Sequence, residues 1–163
     1  MTMNFAGVNE KTLVLIKPDG IQRGLIGEVL HRFERKGLKV VGMKMITLDE
    51  AVLREHYAHI ADKPFFPGVS AFMQSSPVIA LCLEGLEVVA AVRKIVGITK
   101  AREAEAGSIR GDFAMSVACN VVHASDSVDT AKAEVPRFFK TDEILSYSKG
   151  EYENVYMDDE LSK

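Results

Sequence analysis

The stretch Asn120-Val121-Val122-His123-Ala124-Ser125-Asp126-Ser127 changes character within a few residues. Its apolar first part predicts the end of a β-strand over Met115–Val122. The serine and aspartate residues that follow are typical helix N-caps, and the spacing after them predicts a helix over Ser127–Phe139. A histidine therefore lies between a strand and a helix N-terminus, where it is well placed to face a cleft and where anions are favoured. Taken alone, a single histidine at a strand end is more often a structural residue.

The sequence on either side of this stretch predicts further strands separated by helices. Alternating or continuous apolar residues predict strands over Leu13–Ile16, Leu38–Thr47 and Pro77–Glu84. The first is closed by a predicted turn over Lys17–Gly20. In the second, alternation places Val41, Met43 and Met45 on one face, which we expect to contribute to the core.

Helical spacing of apolar residues fills most of the intervals between these strands. Helices are predicted over Ile21–Lys36, Asp49–Tyr57, Pro64–Ser75 and Leu86–Val96. Gly97–Phe113 is polar and is expected to be a long loop of functional importance. The order of elements fits either a parallel doubly wound sheet or a split, ferredoxin-like arrangement with an antiparallel sheet, and the pattern alone does not choose between them.

Length and composition predict one ordinary globular domain. The chain has 163 residues, 47 % hydrophobic and 26 % charged, with a formal net charge of −3. We expect a single domain over residues 1–163 in which 151–163 form an irregular acidic tail. The weak negative charge argues against a dedicated nucleic-acid surface, so an anionic ligand would need a local cluster of cations.

Sequence features that would place the chain in or across a membrane are not found. No apolar run approaches the roughly 20 residues that span a bilayer, and Met1–Glu10 does not read as a signal peptide. We therefore expect a cytoplasmic protein. Its two cysteines, Cys82 and Cys119, lie in apolar surroundings and are expected to be buried free thiols without a metal.

The common glycine-based phosphate motifs are missing, as are HExxH, CxxC and GxSxG. Phosphate binding would therefore depend on side chains. Arg110 lies in a polar loop close to glycines, where it can approach a phosphate and bind it with two hydrogen bonds. Lys17 follows the first strand. Taken singly, Arg110 is equally compatible with a solvated loop arginine, and a lysine at a strand end is usually only a solvated charge.

Four short motifs, taken together, are more specific than any of them alone. Asn120–Asp126 has the form N-x-x-H-x-S-D, and it is preceded in order by Ile16–Gly20, Pro64–Gly68 and Ile109–Phe113. In their order and spacing, these motifs resemble the nucleoside diphosphate kinase family. The resemblance extends from Thr12 to about Tyr147.

The resemblance implies a fold and a reaction. The fold would be the ferredoxin-like α/β sandwich, with a four-stranded antiparallel sheet covered by helices. The reaction would be a ping-pong transfer of the terminal phosphate, mainly from ATP, to a nucleoside diphosphate through a phosphohistidine on His123. Mg²⁺ would arrive with the nucleotide. A homo-oligomer is implied, with a hexamer expected first and a tetramer or dimer also known in the family.

The resemblance also assigns roles to individual residues. Beside the nucleophile His123, the residues implied to act in catalysis are Glu134, which would orient the imidazole, and Ser125, Lys17 and Tyr57. Lys17 would reach both the ribose and the transferring phosphoryl group. The residues implied to bind the nucleotide are Phe65 and Val117 around the base, Asn120 at the ribose, and Arg93, Thr99 and Arg110 at the phosphates. Gripping sugar and phosphates while only sandwiching the base predicts broad specificity.

Two departures from the family pattern stand out. Ala124 occupies a position where glycine is common, and residues 99–107 lack the prolines usual there. Alanine, glutamate and arginine in that loop favour an extra helical turn. We expect the altered loop to affect nucleotide affinity and subunit contacts rather than the reaction. The methyl group of Ala124 would lie close to an attacking phosphate but leaves the reactive atoms intact.

Two other classes of function fit some of the same residues. A ferredoxin-like module that only binds nucleotide or a single nucleic-acid strand would use Phe65 and the cations but would not need His123 and Glu134 together. A phosphohistidine protein that donates to other proteins would need His123 but would discharge slowly onto nucleoside diphosphates. Transfer of label from ATP to His123 and then to a diphosphate separates the three.

Overall fold

The computed structural model describes residues 10–150 and 152–161. The strands are β1 (Glu10–Ile16), β2 (Lys39–Ile46), β3 (Val78–Gly85) and β4 (Val122–Ala124). The helices are α1 (Pro18–Gln22), α2 (Ile26–Arg35), α3 (Glu50–His56), α4 (Phe66–Gln74), α5 (Val88–Val96), α6 (Ile109–Phe113), α7 (Val128–Phe138) and α8 (Asp158–Leu161), with 3-10 turns at Ala101–Glu103, Thr141–Glu143 and Tyr152–Asn154. The expectation that Met1–Glu10 is not a signal peptide concerns residues 1–9, which lie outside the described residues, and it stays a prediction.

The four strands form one antiparallel sheet in the order β2-β3-β1-β4. This is the ferredoxin-like arrangement, so the antiparallel alternative is confirmed and the parallel one is wrong. The order puts β4 at one edge and β2 at the other. Because β1 lies antiparallel to β4, with Ile16 opposite Val122, Lys17 at the end of β1 lies beside the start of the strand that carries His123.

Both faces of the sheet are covered by helices, which gives two hydrophobic cores. Side chains from α2 and α5, including Phe33 and Val92, pack on one face. Side chains from α3, α4 and α7, including Leu53, Phe66 and Phe138, pack on the other. The central strand β3 is buried along nearly its whole length, as its continuous apolar sequence predicts.

The predicted turn and helix over residues 17–36 are wrong in detail. The chain enters a short helix directly after Lys17, with Pro18 in its first turn, and ends it at Gln22. Gly24 then adopts a φ of 67°, which breaks the helix, and α2 starts afresh at Ile26. The apolar spacing over this segment continues through the break, so periodicity alone does not reveal it.

The predicted strand over Met115–Val122 is also wrong, because β4 begins only at Val122. The side chain of Ser116 accepts hydrogen bonds from the backbone amides of Ala118 and Cys119 and folds this segment into a turn. Met115 and Cys119 are exposed. The expectation that both cysteines are buried therefore holds for Cys82 and fails for Cys119.

A β-bulge explains why Met43 and Met45 are not core residues. The register of β2 against β3 shifts between Val40 and Gly42, so Val41 is the extra residue. Because an inserted residue moves the following side chains to the opposite face, Val41 is buried while Met43 and Met45 are 58 % and 55 % exposed.

The segment predicted as a long loop over Gly97–Phe113 contains more helix than expected. The 3-10 turn at Ala101–Glu103 is the extra helical turn that the loop's composition predicts. α6 was not predicted; the hydroxyl of Ser108 caps it by accepting from the amide of Gly111. The tail after residue 150, expected to be irregular, contains α8 and a 3-10 turn.

Two glycines provide a test of this packing. A Cβ on Gly20 would lie 2.8 Å from Ile16 Cγ2 and 3.1 Å from the carbonyl oxygen of Val121, whereas a Cβ on Gly27 meets nothing within 4 Å. We expect Gly20→Ala to lower the free energy of unfolding by about 1–3 kcal/mol. Gly27→Ala should raise it by about 0.5–1 kcal/mol, since alanine favours helix. Urea denaturation of both variants checks this, and equal stability of the two would contradict it.

Candidate active site

His123 is the central residue of β4 and pairs with Leu15 of β1. Its neighbours Val122 and Ala124 point into the core beneath α2 and α5. Alternation along the strand therefore turns His123 toward the opposite face, where α3 and α7 lie. Its side chain remains 21 % exposed, so the ring is held by the fold and is still reached by solvent.

A carboxylate on α7 fixes this ring. His123 Nε2 lies 3.1 Å from Glu134 Oε2, and the Ser125 hydroxyl donates to the same oxygen at 2.6 Å. The side chain of Ser125 is fully buried and that of Glu134 almost so. Since a carboxylate accepts, Nε2 carries the proton and Nδ1 keeps its lone pair. The fold thus leaves one ring nitrogen available as a nucleophile.

Glu134 is charged in this environment. Burial alone would raise the pKa of the Glu134 carboxyl, but the hydrogen bonds from His123 and Ser125 outweigh it and the net direction is downward. An ionised carboxylate stabilises positive charge on the ring to which it is bonded. That charge develops when Nδ1 takes on an electrophile.

Lys17 and Asn120 form a second polar unit near the histidine. The Lys17 ammonium donates to Asn120 Oδ1 at 2.7 Å and to the carbonyl of Ala118 at 3.0 Å. The Asn120 amide in turn donates to the carbonyls of Thr99 and Val117. Burial and the nearby Arg110 lower the pKa of Lys17 to about 8. This cation is therefore held in a fixed place, with little solvent around it.

Two arginines bring further positive charge to β4. Arg110 is 4 % exposed and donates to the carbonyls of Gly97 and Val122, while Arg93 reaches the carbonyl of Ala124 at 3.4 Å. Burial and the neighbouring charge of Arg93 lower the pKa of Arg110 to about 10, so it remains a cation at neutral pH. Arg93 also lines a separate cavity of about 730 Å³ toward the 99–107 loop.

An open cavity of about 480 Å³ adjoins these groups. Its walls are mainly apolar, and Lys17, Tyr57, Phe65, Thr99 and Val117 all line it. Phe65 and Val117 are 58 % and 51 % exposed. Exposed apolar side chains beside a cation suit a ligand with a flat ring at one end and negative charge at the other.

Tyr57 and His56 lie next to the His123 ring. The ring centroids of Tyr57 and His123 are 6.3 Å apart, and those of His56 and His123 are 4.4 Å apart. Burial and Glu134 raise the pKa of Tyr57 to about 12, so its hydroxyl stays protonated. No local motif singles out His56, because its contact with His123 forms only when α3 packs against β4.

A strained residue precedes the histidine strand. Val121 has a φ of 71°, unusual for a β-branched residue. It is held from both sides, since its amide donates to Asp19 Oδ2 at 2.9 Å and its carbonyl accepts from the Lys17 amide at 2.8 Å. Strain of this kind clusters at functional sites, where the surrounding structure maintains it. Sequence reasoning missed Asp19, because its partner is about a hundred residues away.

The structure thus brings the sequence-predicted site residues to one end of the sheet. His123, Glu134 and Ser125 form one hydrogen-bonded group, and Lys17, Asn120 and the Thr99 carbonyl form another. Phe65, Val117 and Tyr57 line the adjoining cavity. Arg93 and Arg110 are anchored to the backbone of β4.

Comparisons with known proteins point to one family. Residues 10–144 match the family model described as nucleoside diphosphate kinase. A relative of that name from Parabacteroides distasonis is 51 % identical over 152 residues, covering 93 % of this chain and 99 % of the relative. One from Archaeoglobus fulgidus is 47 % identical over 90 % of this chain and 97 % of its own length.

A solved structure shows the same similarity in three dimensions. A halophilic nucleoside diphosphate kinase from Halobacterium salinarum, in complex with CDP, superposes with a TM-score of 0.89 at 42 % identity. The match covers 91 % of this chain and 99 % of that one.

Proposed function

The chain belongs to the nucleoside diphosphate kinase family and is an enzyme of that type, and we propose that it carries the transferred phosphoryl group on Nδ1 of His123. The observation that supports this most directly is the contact of His123 Nε2 with Glu134, which leaves Nδ1 unprotonated. The partly exposed ring beside buried cations is where a triphosphate end would be attacked.

The reaction takes place in two balanced steps. In the first, the Nδ1 lone pair forms a bond to the terminal phosphorus and the bond from that phosphorus to the bridging oxygen breaks, releasing a nucleoside diphosphate. In the second, a terminal oxygen of another diphosphate attacks the phosphorus and the P–N bond breaks, returning the lone pair to Nδ1. The proton on Nε2 stays in place throughout, and Glu134 stabilises the charge on the phosphorylated ring.

The cations hold the phosphates during both steps. Lys17, Arg93 and Arg110 are positioned by bonds to backbone or to Asn120, so they need little reorganisation when charge shifts between oxygens. Thr99 would add a neutral donor to the phosphates. Asn120 would bind the ribose, with Lys17 reaching both the sugar and the transferring group.

Phe65 and Val117 would sandwich the base without reading its edges, which supports broad tolerance of bases. We expect Phe65→Ala to raise KM by about five- to tenfold for purine and pyrimidine nucleotides alike, because stacking contributes on the order of 1–3 kcal/mol per base. The turnover number should change less than twofold. Steady-state assays with four diphosphates check this. A loss confined to one base would show that Phe65 selects between bases.

The fall of kcat/KM at alkaline pH should follow the deprotonation of Lys17. With a pKa of about 8, its ammonium is charged below that pH and loses its charge as the pH rises. Phosphate binding is therefore strongest below pH 8, and kcat/KM should fall above it, since kcat/KM reports the free enzyme. In Lys17→Arg the charge persists, so the alkaline limb of the pH profile should move beyond pH 9 although the absolute rate is lower. If the alkaline limb does not move in this variant, its pKa does not belong to Lys17.

Mg²⁺ would enter bound to the nucleotide phosphates, as part of the substrate. The groups that face the phosphate region are cations, and Glu134 is already bonded to His123 and Ser125. The metal-type cluster found among the described residues is His56, His123 and Glu134, a nitrogen-rich set that suits Mg²⁺ poorly. Magnesium would neutralise phosphate charge during transfer.

The cellular location, the number of domains and the oligomeric state of the enzyme are further parts of the proposal. We propose a cytoplasmic enzyme of one domain over residues 1–163, consistent with the free thiols of Cys82 and Cys119. Among residues 10–150 and 152–161, none of the helices combines the length and the hydropathy that a bilayer-spanning segment needs. A homo-oligomer, with a hexamer expected first, is supported by the edge strand β2 and its exposed Met43 and Met45.

Initial-rate kinetics test this function. The ATP concentration is varied at several fixed concentrations of an acceptor diphosphate other than ADP. The double-reciprocal lines should be parallel, because the first product leaves before the second substrate binds. The enzyme should also exchange labelled ADP with ATP when no second nucleotide is present. Intersecting lines without that exchange would favour direct transfer between two bound nucleotides, and no turnover at all would favour a nucleotide-binding module.

A further inference from the structure

His56, the last residue of α3, lies immediately behind the His123 ring. Its side chain is fully buried. Its ring makes edge contacts with His123 at 4.4 Å, with Tyr57 at 4.7 Å and with Phe138 at 5.1 Å between centroids. An apolar side chain would fill such a space at lower cost, because burying an imidazole removes two polar atoms from water. A histidine at this buried position therefore indicates that one of its ring nitrogens takes part in a polar interaction.

The acceptor that His56 can reach is the second carboxylate oxygen of Glu134. His123 and Ser125 both bind Oε2, whereas Oε1 faces His56 Nδ1 at 3.6 Å. This separation is slightly longer than a hydrogen bond, so a small movement closes it. A carboxylate held at one oxygen can swing about its own axis, and a donor at the other oxygen would stop that movement.

Which nitrogen of His56 carries the proton follows from its surroundings. Nδ1 also lies 3.5 Å from a guanidinium nitrogen of Arg137. A hydrogen bond from that nitrogen would require a lone pair on Nδ1. However, Nε2 is buried without a hydrogen-bond partner among the described residues. A proton on Nε2 would have no acceptor, whereas a proton on Nδ1 is directed at the charged carboxylate of Glu134. The Arg137 guanidinium is anchored elsewhere, since its Nε donates to Glu55 at 2.8 Å, and its Nη1 is only at the outer limit of hydrogen-bond distance from Nδ1, at 3.5 Å.

We propose that His56 is a positioning residue for phosphoryl transfer: its Nδ1–H holds Glu134 Oε1, which keeps Oε2 directed at Nε2 of His123 and preserves the reactive tautomer of that ring. The inference rests on the proposed role of His123. His56 does not touch the substrate; it acts through Glu134.

The charge state of His56 is consistent with this role. Burial, together with His123 and Arg137, lowers the pKa of His56 to about 3, and the opposing effect of Glu134 is smaller. The ring is therefore neutral wherever the enzyme works. A neutral donor fixes the carboxylate without competing with His123 for its charge.

Substitutions with different hydrogen-bonding atoms separate positioning from packing. Asparagine places an amide nitrogen near the position of Nδ1, glutamine places one near Nε2, and leucine fills the space without a donor. We expect His56→Leu to lower kcat about 10- to 100-fold with KM changed less than twofold. His56→Asn should recover to within about fivefold of the wild type and exceed His56→Gln. His31→Leu, on the exposed face of α2, is the matched control and should be unaffected.

A spectroscopic measurement provides a second readout. In the wild type, ¹⁵N chemical shifts of the His123 ring should show a protonated Nε2 and an unprotonated Nδ1. In His56→Leu, both shifts should move toward the average of the two tautomers, and in His56→Asn they should stay near the wild-type values.

The order of activities decides the outcome even if the leucine variant fails to fold. Asparagine above glutamine supports positioning through Nδ1. Leucine equal to or above asparagine, or glutamine above asparagine, overturns it in favour of packing alone. These outcomes are read from variants of an enzyme whose wild type is phosphorylated on His123. A wild type without that phosphorylation would instead overturn the proposed function.

Discussion

His123→Asn should reduce phosphoryl transfer at least about 10⁴-fold while nucleotide binding changes little. Asparagine has no lone-pair nitrogen that can accept a phosphoryl group, so the covalent path is lost entirely. The cations, Asn120 and the apolar cavity remain, because none of their contacts depends on the ring. Coupled assays measure the rate. Calorimetry with a triphosphate measures binding, since the chain has no tryptophan to serve as a fluorescent reporter.

The matched control for this variant is His31→Asn, which makes the same chemical change on an exposed helix face. It should retain full activity. A His123→Asn enzyme with more than a few per cent of wild-type turnover would show that another residue accepts the phosphoryl group or that transfer is direct.

Glu134→Gln should have the second-largest effect, lowering kcat about 10²- to 10³-fold with KM changed less than threefold. The glutamine amide can donate to Nε2 of His123, which would move the ring proton to Nδ1 and block the nucleophile. The lost charge also removes stabilisation of the phosphorylated ring. A hundredfold fall corresponds to about 2.7 kcal/mol in the barrier. Steady-state kinetics and the rate of enzyme phosphorylation in a single turnover measure it.

Ser125→Ala provides the graded comparison for Glu134. It removes one hydrogen bond to Oε2 and leaves the carboxylate charge in place, so we expect about a tenfold fall in kcat. A Glu134→Gln enzyme with unchanged turnover and tenfold weaker nucleotide binding would contradict an orienting role for Glu134 and place it at the substrate instead.

The fold could be predicted only in part from periodicity. Strands β1 to β3 and helices α3, α5 and α7 lie close to their predicted positions because their apolar spacing and caps are local signals. The antiparallel order was implied by the family resemblance rather than by pattern, since a strand–helix alternation is compatible with both topologies. The bulge at Val41 and the turn around Ser116 depend on long-range pairing and on side-chain hydrogen bonds, which periodicity does not report.

The site shows the same division between local and long-range information. Short motifs locate Lys17, Arg110, Asn120 and His123, since each follows or precedes a turn that the local sequence marks. Asp19 and His56 could not be assigned in this way. One is bonded to Val121 and the other packs on His123, and both contacts join segments far apart in the chain.

If His123 itself carries the phosphoryl group between nucleotides, a phosphorylated form of the protein must form and then react with a diphosphate. The most direct measurement is to incubate the wild-type protein with ATP labelled on its terminal phosphate, isolate the protein, and add unlabelled GDP or CDP. The label should be acid-labile and alkali-stable, should map to His123, and should move rapidly to the added diphosphate as labelled triphosphate. Protein that takes up no label, or label that stays on the chain after a diphosphate is added, would contradict this role of His123.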